Sequence, residues 1–232
     1  CILLTGERSN TIKIFLGFFL FIYSFHFFKL KKKVLITFLL LLLISIIIFK
    51  SDKIFKTDYL KMRFVDQIIV QVNSIYYKVS TGDYSRKLED SIYINLYISG
   101  IEVFKNNPLF GVGNKNYRVE TCKKENKDVP FYWCMTHPHQ IYIEFLAEHG
   151  LVGTIILLFI LFRLIFKHLR TVLTSKNYIQ IGCMIYLITN FLPLLPTGSF
   201  FGDFNSNLFW INLSIMYACN PKTNVFNKVK LS

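Results

Sequence analysis

The sequence predicts an all-α, polytopic integral membrane protein, with about five spanning helices and one long outer segment carrying amphipathic helices. Three observations predict it. The chain is 53% hydrophobic with 24 phenylalanines, and its mean hydropathy is +0.40. Its apolar residues come in blocks instead of being spread along the chain. Its net charge of +13 is concentrated in clusters between those blocks.

The blocks run roughly over residues 11–28, 34–49, 142–166, 178–195 and 208–219. About 20 apolar residues cross the hydrocarbon core, so the short second and fifth blocks have the least defined ends. A backbone in lipid must satisfy its own hydrogen bonds, which favours helices. A membrane barrel would alternate apolar and polar residues, and the 34–49 block does not. Lys29, Lys31, Lys32 and Lys33 separate the first two blocks. Arg163, Lys167, Arg170 and Lys176 stand at the end of the third and before the fourth, and Lys222, Lys228 and Lys230 follow the fifth. Positive charge gathers on the cytoplasmic side. These three sites are therefore read as inside, and residues 1–10, 50–141 and 196–207 as outside. A soluble protein this basic would suggest nucleic acid; the alternation argues against it, and membrane lipids are the expected surroundings.

Cys1-Ile2-Leu3-Leu4 reads as the last turn of another membrane helix. The sequence is therefore expected to be the C-terminal part of a longer protein, with residues 1–232 as a single membrane domain. The first apolar block has no small-residue cleavage site of the signal-peptide kind. The outer segment is too long for a plain loop. Leu60, Phe64, Ile68, Val72 and Ile75 recur at helical spacing, as do Leu88, Ile92, Leu96 and Val103. Two amphipathic helices are expected, lying along the membrane surface or forming a small water-exposed domain. Ser80-Thr81-Gly82-Asp83 and Gly111-Val112-Gly113-Asn114 read as turns, and Asn106-Asn107-Pro108 as the end of the second helix. Cys122 and Cys134 both fall in this segment. An oxidising compartment permits a disulfide between them; two free thiols are the other reading. Their spacing matches no common zinc pattern.

The chemistry-bearing stretch is Thr136-His137-Pro138-His139-Gln140, at the mouth of the third block. Histidine changes charge near neutral pH, and ionisable groups at membrane helices mark working sites. Proline suits the first position of a helix. The helix is therefore expected to begin at Pro138, with His137 near its cap and His139 in its first turn. A helix start attracts anions. His139, Tyr142 and Leu146 would share one face, and Gln140 and Glu144 another. Gly150 and Gly153 are expected to allow close helix packing. Arg8 lies on the same outer side, and its planar fork suits phosphate oxygens. An ion pair with Glu7, or anchoring at lipid headgroups, is the plainer reading. Lys115, Arg118 and Arg86 are further phosphate candidates, or else solvated surface charges. The chain has no Walker loop, no Asp-x-Asp cluster, no Gly-x-Ser-x-Gly and no His-Glu-x-x-His. An outer compartment has no supply of ATP or nucleotide sugars. A substrate activated beforehand is needed there, and a lipid-linked diphosphate fits, its leaving group stabilised by cations.

Three motifs together resemble the O-antigen ligase family, which also includes O-antigen polymerases and some protein O-oligosaccharyltransferases. They are Thr5-Gly6-Glu7-Arg8-Ser9-Asn10, Asn107-Pro108-Leu109-Phe110-Gly111-Val112-Gly113, and His137-Pro138-His139-Gln140-Ile141-Tyr142 running on to Glu148-His149-Gly150-Leu151-Val152-Gly153. The Pro196-Thr197-Gly198-Ser199-Phe200-Phe201 loop is also similar. The resemblance implies a polytopic inner-membrane enzyme with a long periplasmic loop. It would transfer glycan, without a metal or other cofactor, from undecaprenyl diphosphate to lipid A–core or to another glycan acceptor. It implies that His139 acts on the acceptor hydroxyl and that Arg8 contacts the carrier diphosphate. A second arginine of the family normally stands where this chain has Tyr93; Arg86 and Arg118 are the substitutes at hand. Gln140 stands where an asparagine is common. A non-enzymatic glycan transporter or flippase is the reading from another class. It would need polar residues in broken helices near mid-membrane, and the 39–47 stretch is apolar apart from Ser45.

Overall fold

The computed structural model describes residues 8–24, 29–50, 61–81, 92–126 and 132–224. The described residues are helical, with turns and loops between the helices and no strand among them. The chain divides into two compact units, Cys1–Ser91 and Ile92–Ser232.

In the first unit, helix α1 spans Arg8–Ser24 and α2 spans Leu30–Phe49. Residues 25–28 of the first predicted block lie outside the described residues. The second helix starts earlier than expected, so Lys31, Lys32 and Lys33 form its first turn. The Lys33 ammonium donates to the Tyr23 carbonyl at 2.6 Å, tying the two helices. No residue of α2 is buried. At 1.5 Å per residue its 20 residues measure about 30 Å, the thickness of the hydrocarbon core. A π-helical turn, Met62–Asp66, leads into α3, Gln67–Thr81. The helix therefore runs through the Ser80-Thr81 half of the expected turn. Ile68 and Val72, from the predicted apolar stripe, are exposed. Leu60 lies outside the described residues.

The second unit opens with α4, Ile92–Asn106. Its Leu96 and Val103 are buried, as are Asn95, Ser99 and Gly100. This helix is packed into a core instead of lying free on a surface. After the glycine turn comes α5, Tyr117–Cys122, and then a short 3-10 turn, Lys124–Asn126. The long apolar helix α6 is Ile141–Phe166, continued by α7, Leu169–Thr174. Together with α2, this stretch is long and apolar enough to cross a membrane. Helix α8, Tyr178–Asn190, stops short of the predicted residue 195. Phe191 caps it, Pro193 cannot continue a helix, and Leu194 adopts a left-handed φ of 65°. Helix α9, Asp203–Ala218, starts before the predicted residue 208, with Gly202 as its N-cap. Helices α8 and α9 pack together, and Ile181 and Met184 of the first and Phe209, Leu213 and Met216 of the second are buried. The buried Gln180 amide locks one end, donating to the Met216 carbonyl at 2.7 Å and the Thr223 hydroxyl at 2.9 Å.

Candidate active site at the start of the long helix

Helix α6 does not begin at Pro138. Gln140 is its N-cap, with extended φ of −148°, and its side-chain Oε1 accepts the Ile143 amide at 2.9 Å. His139 precedes the cap with a φ of 56°, so it stands outside the helix instead of in its first turn. A non-glycine residue in this left-handed region carries strain that the surroundings must hold in place. Two neighbours do so. The Thr197 amide donates to the His139 carbonyl at 2.8 Å. Pro138 packs on Gly100 of α4, where an added Cβ would meet the proline Cβ at 2.8 Å and strike the Ile143 side chain.

This placement brings both predicted histidines into contact. The rings of His137 and His139 lie 4.0 Å apart, tilted by 41°. Tyr93 approaches His139 edge-on at 5.7 Å. The residue at the family's second-arginine position is thus beside the histidine, a neighbourhood the spacing had not revealed. His137 Nδ1 is 2.9 Å from the Thr136 hydroxyl, and its Nε2 is buried without a hydrogen-bond partner among the described residues. Burial first, then the neighbouring His139, lowers the His137 pKa from 6.5 to about 4, with the Thr197 backbone acting in the opposite direction. Burial also lowers the His139 pKa, against the same Thr197 backbone. Both imidazoles are therefore neutral at pH 7, the state in which a ring nitrogen can accept a proton.

Two carboxylates that sequence reading left without a role organise the surroundings. Glu144 is 1% exposed. It accepts the Ser199 hydroxyl and, at 2.9 Å, the Phe200 amide. It thereby fixes the 196–201 loop over the start of α6. Phe200 and Phe201 close on Phe145 at 5.2 and 5.6 Å. Glu148, one turn further and 2% exposed, accepts the Lys115 amide at 2.9 Å. The available signal was two acids four residues apart, on one face of an otherwise apolar helix.

The helix then breaks. Gly150 has φ 62° and ψ −169°, a region essentially reserved for glycine. The break frees the Ala147 and Glu148 carbonyls and the Leu151 and Val152 amides. The 108–113 stretch takes up all four. Val112 and Gly113 donate to Ala147 and Glu148 at 3.0 and 2.8 Å. The Pro108 and Leu109 carbonyls accept Leu151 and Val152 at 2.8 and 3.2 Å. Gly111, with φ 66°, lies against the Glu148 backbone, and Gly150 against Leu109. Gly150 therefore packs on this loop instead of on another helix. A Cβ on Gly153 would meet His149 of the same helix at 2.7 Å. For Gly150 the expected helix packing is replaced by the break.

A family model described as O-antigen ligase matches residues 1–158. The chain belongs to the O-antigen ligase family. No curated protein and no solved structure matches it significantly. The region of this O-antigen ligase family chain that matches includes Arg8, the 108–113 stretch and both histidines, and it ends inside α6. The 196–201 loop lies beyond it.

Two other predicted residues of this family member, Lys115 and Arg118, lie on the surface. Lys115 is exposed, with a left-handed φ of 58°, and its ammonium pairs with Asp203 at 3.5 Å across exposed surface. Arg118 is exposed on α5. Arg8 opens α1 in the other compact unit. Arg86 lies outside the described residues. Cys122 and Cys134 form a disulfide, while Cys183 and Cys219 are free. The disulfide ties the 132–135 stretch, which leads to the histidines, to α5. Ser99 adds a second tie, accepting the Trp133 amide at 3.0 Å and meeting the Tyr117 hydroxyl at 2.7 Å. Among the described residues no group of three or more His, Cys, Asp or Glu side chains could hold a metal ion.

Proposed function

We propose that this chain is a membrane glycan transferase of the O-antigen ligase type, inverting and metal-independent. Its donor is a glycan on undecaprenyl diphosphate and its acceptor a hydroxyl of lipid A–core. It works at the periplasmic face of the bacterial inner membrane, as a polytopic protein. The observation that carries the reading is His139, an imidazole held in a left-handed turn at the mouth of an apolar helix, beside His137 and Tyr93. His139 takes the proton of the acceptor hydroxyl as its oxygen attacks the anomeric carbon. The anomeric bond to the diphosphate breaks, and the released lipid diphosphate carries the charge away. Arg8 balances that charge, its guanidinium suited to bidentate phosphate contact. Lys115, Arg118 and Arg86 serve as further cations. Family membership and the two long apolar helices support the membrane setting. The alternation of lysine and arginine clusters supports the orientation.

General-base help contributes ~10²–10⁴ in rate. His139→Ala is therefore expected to abolish transfer while the protein still inserts and accumulates. The assay is the lipopolysaccharide profile of a deletion strain complemented with the variant. Near wild-type capping by H139A would sink the assignment. The same gels decide the acceptor within the family. Loss of all capped bands in the deletion strain fits the ligase, and a single-repeat band fits an O-antigen polymerase.

A further inference from the structure

Glu144 sits in the first turn of α6, almost fully buried, with both oxygens taken by one short loop. Ser199 donates to one oxygen and Phe200 to the other. Two residues earlier in that loop, the Thr197 amide donates to the His139 carbonyl. The chain of contacts therefore runs from Glu144 through the loop to the backbone of His139. That backbone is in a left-handed conformation that a non-glycine residue leaves when nothing holds it. The relaxed alternative is the one the sequence pattern itself predicts, with the helix running back to Pro138 and His139 in its first turn.

We propose that Glu144 is a positioning residue for His139: it clamps the 196–201 loop so that Thr197 pins the His139 carbonyl and keeps the ring against His137 and Tyr93. The proposal rests on the reading of His139 as the base. The loop lies past the residues that the family model matches, so the clamp couples the matched stretch to a later part of the chain. Both bonds end on a buried carboxyl group, where a donor left unmatched costs most. Removing the carboxylate also leaves the Ser199 hydroxyl and the Phe200 amide orphaned, so the loop has no reason to keep its place.

The test uses full-length protein in membranes with Glu144→Ala, Glu144→Gln and Ser199→Ala. Two quantities are measured. One is the rate at which diethyl pyrocarbonate labels His139 at pH 7, read on its peptide by mass spectrometry. The other is kcat and KM for transfer from an undecaprenyl-diphosphate oligosaccharide. E144A is expected to raise His139 labelling about fivefold or more, the population change that one lost hydrogen bond brings. It is also expected to lower kcat with KM little changed. E144Q keeps an acceptor for Phe200 and should restore both measures to within about threefold of wild type. S199A removes one donor without emptying the core, and its labelling should fall between the two. Wild-type labelling in a monodisperse E144A, or in S199A if E144A does not accumulate, overturns the proposal. If the wild-type protein performs no transfer, the functional reading fails alone, because the labelling still decides whether Glu144 holds His139.

Discussion

Replacing Gly150 with alanine attacks the break in α6, and the structure sets the size of the effect. Two outcomes compete. In the first, the helix stays broken and alanine is forced into φ 62°, ψ −169°. That strain costs ~1–3 kcal/mol, before counting the Cβ, which strikes the Leu109 carbonyl group. In the second, the helix straightens. Leu151 and Val152 then donate to Ala147 and Glu148 in the ordinary i to i−4 pattern. Four hydrogen bonds to the 108–113 stretch are exchanged for two within the helix. A net loss of two bonds at ~0.5–1.5 kcal/mol each costs ~1–3 kcal/mol, offset by roughly 1 kcal/mol of alanine's better helix propensity. Most of the estimated range is a net loss, and the straight form also releases the Pro108–Gly113 clasp. G150A should therefore lower the melting temperature of the detergent-purified protein by several degrees. It should also make the 108–113 stretch newly sensitive to protease. A wild-type melting temperature together with an uncut loop would refute the reasoning, since both routes predict a change in at least one.

Breaking the Cys122–Cys134 bridge with C122S should destabilise the protein by ~3 kcal/mol on the chain-entropy account. A wild-type sample treated with reductant should melt with the variant; a bridge that matters only as packing would leave the two apart. His137 predicts a pH dependence. Its folded pKa of about 4 lies below the ordinary 6.5, so the unfolded chain takes up the proton first. Its contribution is complete above pH 6.5 and is lost as pH falls toward 4. Melting curves of wild type should drop across that window, and H137Q should show a shallower drop; parallel curves would exclude His137 as the cause. With the His139 pKa also lowered by burial, transfer should stay flat below pH 7 to a point under 6.5. An acid limb centred at or above 6.5 would show that a different group acts as base.

Much was legible in the residues. The apolar blocks yield helices, and two of them, α2 and α6 with α7, are long and apolar enough to cross a membrane. The His-Pro-His stretch lies at the start of the long apolar helix, as its spacing suggests, and the paired cysteines do bond. Helix ends were legible only in part. Short-range signals such as Pro138 as first residue compete with long-range contacts, and here the Gln140 cap and the Thr197 amide win. Glu144 and Glu148 were visible as acids in an apolar helix, but their partners lie 55 and 33 residues away. No periodicity encodes such distances.

The sequence by itself determined the helical class, the clustering of positive charge and the pairing of two histidines beside a long apolar run, because these follow from composition and local spacing. Only the tertiary structure decided how the histidines are held. The left-handed turn at His139 exists because a loop from beyond residue 195 and a glycine in α4 close on it. The break at Gly150 exists because a distant loop supplies the four hydrogen-bond partners that the helix gives up, which no reading along the chain can supply.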